Sequence, residues 1–325
     1  MKTRLSNSSI TTFLECGLKY DLHYNKKIRP LKTKSALVFG GSIDIGLNAL
    51  LEGKSLEAAQ TIFFNEWVKY RDDELITYSK SDLDIELVNH YNKDQVKNPS
   101  WTSLFIKGNL MLKTYYKEII PRIKKVIAIQ KDVELTNSEG DKIVGIIDLE
   151  VEWYDGKIYI ADNKTSSIKY SPNSAKENRQ LVTYYYTEKD KLKLDGVMYI
   201  VLDKKINLNK VKKCQSCGTI NKSSHKTCNE QRGIINPIDN SEGPKFFRCN
   251  GEFTVTLDPK AMYEVIINQV DESDEERIIN EFDSANQGIS NGIFEPNKES
   301  CIGKYGKCDF WSLCHENSMD GLIKK

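Results

Sequence analysis

The stretch that decides the fold is Gly145-Ile146-Ile147-Asp148, followed twelve residues later by Ile160-Ala161-Asp162-Asn163-Lys164-Thr165. Between the two, Leu149 to Tyr159 alternates apolar and polar residues around Tyr154-Asp155-Gly156. An Asp-Gly pair between alternating runs is a strong hairpin signal. A hairpin brings Asp148 and Asp162 onto neighbouring strands, with Lys164 two residues on. Two converging carboxylates offer hard oxygen ligands to a divalent cation, and an ammonium beside them can orient or help deprotonate an attacking water. Phosphodiester hydrolysis needs such a set.

Around this stretch the pattern is that of an α/β chain. Helical periodicity and capping residues predict a first helix from the Ser6/Ser8 region, then Ala36 to Leu51, Leu56 to Tyr70, and Ser100 to about Ile119. Strands are expected near Val126 to Leu135, Lys142 to Trp153 and Lys157 to Asn163, then a helix near Ser174 to Lys189 and a strand near Gly196 to Leu202. That order describes a sheet with a crossover helix. Phe253 to Leu257 reads as a short strand, and Pro259 to Asp283 as a long charged helix.

The chain has 325 residues, 39% of them hydrophobic, enough for a full core. No export signal and no apolar run of membrane-spanning length is apparent, so a soluble, cytoplasmic protein without membrane attachment is expected, in the host cytoplasm if the source is viral. The net charge is only +1, yet it is segregated. Residues 1–40 carry eight Lys/Arg against Glu15 and Asp21, whereas residues 261–300 carry ten acids against Arg277 and Lys298. A local basic entrance is compatible with that distribution, and the acidic stretch reads as a solvated face. The phosphate-binding pattern G-x4-G-K-[ST] is absent, which excludes a P-loop ATPase motor of the chain's own.

The eight cysteines form two sets. Cys214-Gln-Ser-Cys217-Gly is a knuckle, followed by Cys228 and Cys249 in a Lys/Asn/Ser/Gly-rich segment with little apolar periodicity. Four thiolates around a structural Zn²⁺ would staple such a segment; His225 competes as a ligand, and unligated buried thiols are the bland alternative. Cys16 and the trio Cys301, Cys308, Cys314 make the second set. One remote cysteine with a compact trio suits an iron–sulfur cluster; a second zinc with His315, or a disulfide pair, fits the residues as well.

The N-terminal Leu5-Ser6-Asn7-Ser8-Ser9 with Phe13-Leu14-Glu15-Cys16-Gly17-Leu18-Lys19-Tyr20, the Gly145-to-Asp148 strand, the D-x-K-T of Asp162 to Thr165, and Gln180-Leu181-Val182-Thr183-Tyr184 stand in the order found in RecB-like nucleases. The chain therefore resembles the PD-(D/E)XK superfamily. Its cysteine distribution is similar to that of the iron–sulfur members, among them the AddB nuclease domain and the CRISPR-associated exonucleases. The resemblance implies a central mixed sheet flanked by helices, a helical N-terminal part (1–125) contributing Cys16 and Asp44, a nuclease core (126–204 and 252–290) and an iron–sulfur segment (291–325); the zinc-ribbon-like insertion (205–251) rests on its own cysteines and is not a general family feature. It further implies Mg²⁺ or Mn²⁺ on Asp148 and Asp162 and a 4Fe–4S cluster on Cys16, Cys301, Cys308 and Cys314, whereas Zn²⁺ on Cys214, Cys217, Cys228 and Cys249 is read from the cysteine segment itself. Lys164 would steady the attacking water, and Gln180 and Tyr184, one helical turn apart, would position substrate or site. The Tyr184-Tyr185-Tyr186 run offers either a stacking surface or core.

Two features depart from that pattern. Where relatives place a metal-binding histidine after a Gly-rich turn, Phe39-Gly40-Gly41-Ser42-Ile43-Asp44 has an aspartate, a hard ligand suited to Mg²⁺ or Mn²⁺. The interval from Cys301 to Cys308 is also longer than a C-x2-C. The expected activity is exonucleolytic cleavage of DNA, single-stranded or with free ends, in recombination, repair or replication, with a helicase or recombination protein as partner. The alternative is a DNA-end-binding or CRISPR-adaptation-type subunit whose binding outweighs its cutting.

Overall fold

The computed structural model describes residues 4–91, 98–136, 140–217, 219–222, 231–234, 245–248, 251–303 and 306–325. The chain opens with strand β1 (Arg4–Ser6), helices α1 (Asn7–Glu15) and α2 (Gly17–Tyr20), and short strands β2 (Ile28–Pro30) and β3 (Thr33–Lys34). Helices α3 (Ser35–Leu51) and α4 (Leu56–Trp67) follow, then β4 (Ile76–Thr77), α5 (Ile85–His90) and α6 (Pro99–Thr114). The main strands are β5 (Ile123–Thr136), β6 (Lys142–Trp153), β7 (Ile158–Ser166) and β8 (Gly196–Cys214), with α7 (Ser174–Glu177) and α8 (Arg179–Glu188) between the last two. Beyond them lie β9 (Ile220–Lys222), β10 (Gln231–Ile234), β11 (Lys245–Arg248), β12 (Phe253–Asn268), α9 (Glu272–Ser290), β13 (Ile302–Gly303), β14 (Gly306–Lys307), α10 (Trp311–Glu316) and β15 (Leu322–Lys324).

Seven strands make one mixed sheet, with β1, β6, β7, β8 and β12 in sequence, β5 on β6 and β9 on β8. Strand β5 runs antiparallel along the whole of β6. The opposite edge of β6 is therefore shared: β1 pairs in parallel with Lys142 to Val144, and β7 pairs antiparallel with Leu149 to Glu152. Between those partners the edge of β6 forks open at Gly145 to Asp148. The parallel step from β7 to β8 is the crossover carried by α7 and α8, as parallel strands require.

Helices α3, α4 and α6 bury Phe39, Ile43, Phe63, Trp67, Leu104 and Met111 against one face of the sheet, where Leu149, Val151, Ala161, Met198 and Ile200 meet them. Two indoles lock this layer: Trp67 Nε1 donates to the Trp101 carbonyl at 3.2 Å and Trp101 Nε1 to the Trp67 carbonyl at 3.0 Å. On the other face α8 packs Leu181 and Tyr184 over Ile147, Ile160, Val197 and Tyr199.

The first helix begins where the Ser-rich signature predicts it. Ser6 is the N-cap, accepting from the Ser9 N–H at 3.1 Å, while the Ser9 hydroxyl accepts from the Ser6 N–H at 2.9 Å. Such reciprocal capping satisfies two orphan donors. The expected helix at Ser174 to Lys189 is broken at Asn178, whose side chain caps α8 through the Leu181 N–H at 3.0 Å.

The C-terminal half differs from the expectation. The segment from Pro259 is strand as far as Asn268, and the helix starts only at Glu272, capped by Asp271. Pairing decides it, because β12 lies antiparallel to β8 from Cys214/Phe253 to Val197/Asn268, with a bulge between Ala261 and Tyr263. Pro259, paired with Leu208, has no N–H to give and sits on an edge strand, where a sheet tolerates it. Likewise the strand from Gly196 continues to Cys214 instead of ending at Leu202. The cysteine knuckle therefore rides at the tip of a long two-stranded arm. Cys228, Cys249 and His225 lie outside the described residues.

Both chain ends meet. Strand β15 pairs antiparallel with β2, and the Leu18 N–H donates to the Glu295 carbonyl at 3.1 Å. Gly17 is required there, since a Cβ would stand 2.9 Å from the Glu295 nitrogen. Among the described residues no helix is long and apolar enough to cross a membrane.

Candidate active site

The site is built at the fork in β6. The last bridged pairs of β6 and β7 run from Glu152/Ile158 to Leu149/Ala161, so continuing the register sets Asp148 opposite Asp162 where the strands part. Asp162 is 3% exposed. Its two oxygens are buried without a well-formed hydrogen bond, while the Lys164 ammonium stands 2.5 Å from Oδ2. Burial raises the Asp162 carboxyl to about 8; Lys164 opposes that rise and Asp148 adds to it. Lys164 pulls the other way. Burial favours loss of its proton, but Asp162 and Asp148 outweigh burial and hold its pKa above the ordinary lysine range. The two shifts compete, because a proton on Asp162 removes the attraction that raises Lys164. Desolvation of the nearly inaccessible carboxylate is the larger effect and decides the direction.

Asp44 enters from α3. It is half-buried, and burial followed by the charge of Asp148 pushes its carboxyl up to about 7, with Lys164 moderating the rise. Three aspartates and one lysine thus share a field, although among the described residues no three His, Cys, Asp or Glu side chains stand at single-ion ligand spacing. The donor chemistry still fits a hard cation. Carboxylates driven toward neutrality by burial and mutual repulsion, with the Asp162 oxygens lacking a well-formed hydrogen bond, are what a divalent ion would satisfy.

The glycine of Gly145-Ile-Ile-Asp148 and the tyrosine of the helix motif explain each other. A Cβ on Gly145 would lie 2.5 Å from the Tyr184 ring, so the ring can lie on the strand only where there is no side chain. Tyr184 Oη then accepts from the Ile146 N–H at 3.2 Å and from Gln180 Nε2 at 3.0 Å. The Ile146 amide belongs to the unpaired edge of the fork, so Tyr184 replaces the missing strand. Tyr184 is buried, and its motif partner Gln180 is half-buried beside it.

Gln130 escaped the sequence reading. It lies across β6 from Asp148, between the pairs Ile129/Leu149 and Lys131/Ile147, and adopts φ 49°, rare for a non-glycine residue. Its Nε2 donates to Asp148 Oδ1 at 3.3 Å. The left-handed residue reverses the faces of the strand: Ile129 packs into the α3/α4/α6 layer, whereas Val133, of the same parity, packs into the α8 layer. Leu149 and Ile147 divide in the same way on β6. No sequence signal marks this position, since glycine or asparagine would be the usual choice. Glu134 is exposed and pairs with Lys142 at 2.6 Å, away from the carboxylates.

Cys16, Cys301, Cys308 and Cys314 are free thiols. The Asn297 N–H donates to Cys16 Sγ at 3.3 Å, and the Cys308 N–H to the Cys301 carbonyl at 2.8 Å. Burial, then Cys308, Cys301 and Cys16, raises the Cys314 thiol, although among the described residues no three of these thiols stand at metal-ligand spacing. In the knuckle Cys214 is 1% exposed, and its N–H donates to the Thr219 carbonyl at 3.0 Å.

A mixed sheet with helices on both faces, and two acids with a lysine at the strand fork, form a core of the restriction-endonuclease type. The PD-(D/E)XK nuclease superfamily matches residues 4–315, and the chain belongs to it. Members are metal-dependent nucleases that typically use Mg²⁺ or Mn²⁺. No curated protein matches the chain. The crystal structure of SSO0001 is similar over 81% of this chain and 96% of that one, at 13% identity and a TM-score of 0.31, too low to carry an argument.

Proposed function

We propose that the chain is a divalent-metal-dependent deoxyribonuclease that hydrolyses DNA exonucleolytically, from single-stranded or free ends, in recombination, repair or replication. The observation that carries the reading is the Asp148–Asp162–Lys164 set at the fork, with Asp162 buried, Lys164 beside it and its oxygens lacking a well-formed hydrogen bond. Asp148, Asp162 and Asp44 would hold Mg²⁺ or Mn²⁺, which supplies Lewis-acid polarisation of the phosphoryl oxygen and lowers the pKa of the attacking water.

The remaining chemistry belongs to the chain. Lys164, partly exposed and charged, faces the cleft beside Asp162 and steadies the water and the charge growing on the phosphoryl oxygens. Tyr184 and Gln180 act by position: one hydrogen-bond chain, Gln180 to Tyr184 and the Ile146 amide to Tyr184, fixes the segment of β6 that ends in Asp148. Gln130 fixes the same carboxylate from the other side.

The reading extends to the cysteines. Cys16, Cys301, Cys308 and Cys314 would carry a 4Fe–4S cluster joining the chain ends, and Cys214 with Cys217, Cys228 and Cys249 a structural Zn²⁺. Cys308, Cys301 and Cys16 each act on the Cys314 thiol, which supports the former; the C-x2-C spacing of Cys214 and Cys217 supports the latter. A helicase or recombination protein would supply strand separation, which this chain has no motor to perform.

The test is anaerobic purification with metal analysis and visible absorption, then digestion of end-labelled DNA with and without Mg²⁺ or Mn²⁺. Metal-dependent release of mononucleotides or short products from the ends is expected, abolished in Asp162→Ala and Lys164→Ala proteins that keep the wild-type circular dichroism spectrum. A colourless protein containing only zinc refutes the cluster, and internal cutting of closed circles refutes the exonuclease assignment.

A further inference from the structure

We propose that the cavity at the N-terminal end of α3 holds the phosphodiester backbone of the strand being cut, and that the glycine-bearing face of α3 is the floor leading it to Asp44. The proposal deepens the nuclease reading and rests on it. The cavity has a volume of about 500 Å³ and is lined by Lys19, Arg29, Lys32, Lys34 and Lys325, with Asp309 the one acid among its lining residues. In a chain of net charge +1 this is a local concentration of cations.

Internal pairing uses only some of them. Lys34 is bound to Asp309 at 2.9 Å and Lys19 to Glu15 at 2.8 Å. Arg29 donates to the carbonyls of His23 and Ile28. Lys32 and Lys325 have no acidic partner among the described residues. His23, also in the wall, is held toward its neutral form by burial and by Arg29 and Lys19, which reports the positive field there. Phosphate oxygens are the anions that repeat along a chain and could answer several cations at once.

The route to the carboxylates follows from helical geometry. Leu37, Gly41 and Asp44 recur at i, i+4 and i+7, on one face of α3. Leu37 lines the cavity and is 73% exposed. A Cβ on Gly41 would meet nothing within 4 Å, so the space above the helix is open. Asp44 closes the series about 10 Å further along the axis, at roughly 1.5 Å per residue. Gly40, beside this face, looks toward Thr165 of the D-x-K-T strand, where an added Cβ would stand 3.9 Å from Oγ1. Two consecutive glycines weaken a helix interior, and their presence there is accounted for if a backbone lies against them. A single strand fits this smooth floor between a cationic cavity and a carboxylate cluster, with the exposed Leu37 offering an apolar surface to an unstacked base.

Binding is measured by fluorescence anisotropy of a labelled oligothymidylate on the full-length protein in chelator, so that no turnover occurs, across a salt series. The doubly reversed Lys32→Glu/Lys325→Glu protein is expected to bind about tenfold or more weakly at low salt. Its plot of log affinity against log salt flattens by about 1.4, at roughly 0.7 for each single-strand phosphate that is no longer neutralised. Gly41→Leu, which introduces a better helix former and so keeps the fold, is expected to weaken binding about tenfold by filling the floor. Lys54→Glu, whose wild-type lysine is paired with Glu52 at 2.6 Å just beyond the other end of α3, leaves affinity unchanged. If the wild type cleaves DNA but the reversed and Gly41→Leu proteins keep its affinity and salt slope, the track is refuted and the nuclease reading stands. If the wild type binds with these dependences but cuts nothing in Mg²⁺ or Mn²⁺, the nuclease reading falls and the track stands.

Discussion

Asp162→Asn should inactivate the enzyme and at the same time stabilise the metal-free protein at pH 8. The reason is the buried carboxyl, raised from 3.8 to about 8 in the folded protein. A folded-state pKa above the unfolded one gives stability that is complete below about pH 4 and lost as pH rises toward 8. Every pH unit over which the folded protein keeps a proton the unfolded chain has released is worth about 1.4 kcal/mol, so the window from about 4 to about 8 sets a ceiling near 6 kcal/mol. Asparagine mimics the protonated acid in shape and charge, but its amide faces the Lys164 ammonium and returns part of that gain; about half, ~3 kcal/mol, is expected to survive. For a chain of 325 residues that is a rise in melting temperature of about 4 °C. Calorimetry or dye-monitored melting in chelator should show the wild type losing stability steadily between pH 5 and 8, more steeply because Asp44 is raised as well. The Asp162→Asn protein should retain only the shallower slope due to Asp44. Excess Mg²⁺ should then raise the melting temperature of the wild type and not of the variant, by an amount that grows with the logarithm of its concentration. A variant that melts at or below the wild type at pH 8 in chelator, or a wild type that gains stability across that range, refutes the account of Asp162 as a buried acid whose desolvation outweighs the charge of Lys164.

Gly145→Ala forces a methyl to within 2.5 Å of the Tyr184 ring and should destabilise by about 2 kcal/mol in a denaturant titration while slowing cleavage. Tyr184→Phe keeps the ring but strips the Ile146 N–H of its acceptor, so a loss of about 1–2 kcal/mol is expected, with turnover reduced more than substrate affinity. At Gln130, Gly should be more stable than Ala by about 1 kcal/mol because the backbone is left-handed; equal stabilities would mean that the strand does not turn over there. Cys314→Ser should bleach visible absorption in anaerobically purified protein, leaving Zn²⁺ content unchanged.

How far these residues are legible in the sequence depends on whether the constraint is local. The hairpin at Tyr154-Asp155-Gly156 announces itself, because turn chemistry and period-two alternation are local, and β6 has the bounds expected, Lys142 to Trp153. The serine-rich N-terminus likewise encodes its own cap. The long arm does not. Lys204 to Lys213 reads as a polar insertion because its lysines and asparagines mask the alternation of Ile206 and Leu208, and Pro259 suggests a helix start beyond it. Each half of that arm becomes a strand only through the other, over a register running from Val197/Asn268 to Cys214/Phe253. Pairing between segments so distant in sequence leaves little trace in either one.

The same distinction explains why the acids of the site are legible and their support is not. Asp148 and Asp162 are acids on adjacent strands, so residue type and hairpin register bring them together on paper as they are in the fold. Their environment comes from elements that converge only on folding: α3 brings Asp44, α8 brings Tyr184 to the open edge, and β5 brings Gln130. A sheet whose strands kept one parity throughout would place Ile147 and Leu149 in the same layer. The turn-over at Gln130 and Asp148 instead gives each helical layer its own apolar residues on either side of the fork. The carboxylate therefore occupies the one position on β6 where side-chain parity changes, and there the edge of the sheet is open and both flanking layers are packed. A carboxylate at such a point is held by the core on both faces while the strand edge beside it stays open. That geometry requires Gly145, Tyr184 and Gln130 together.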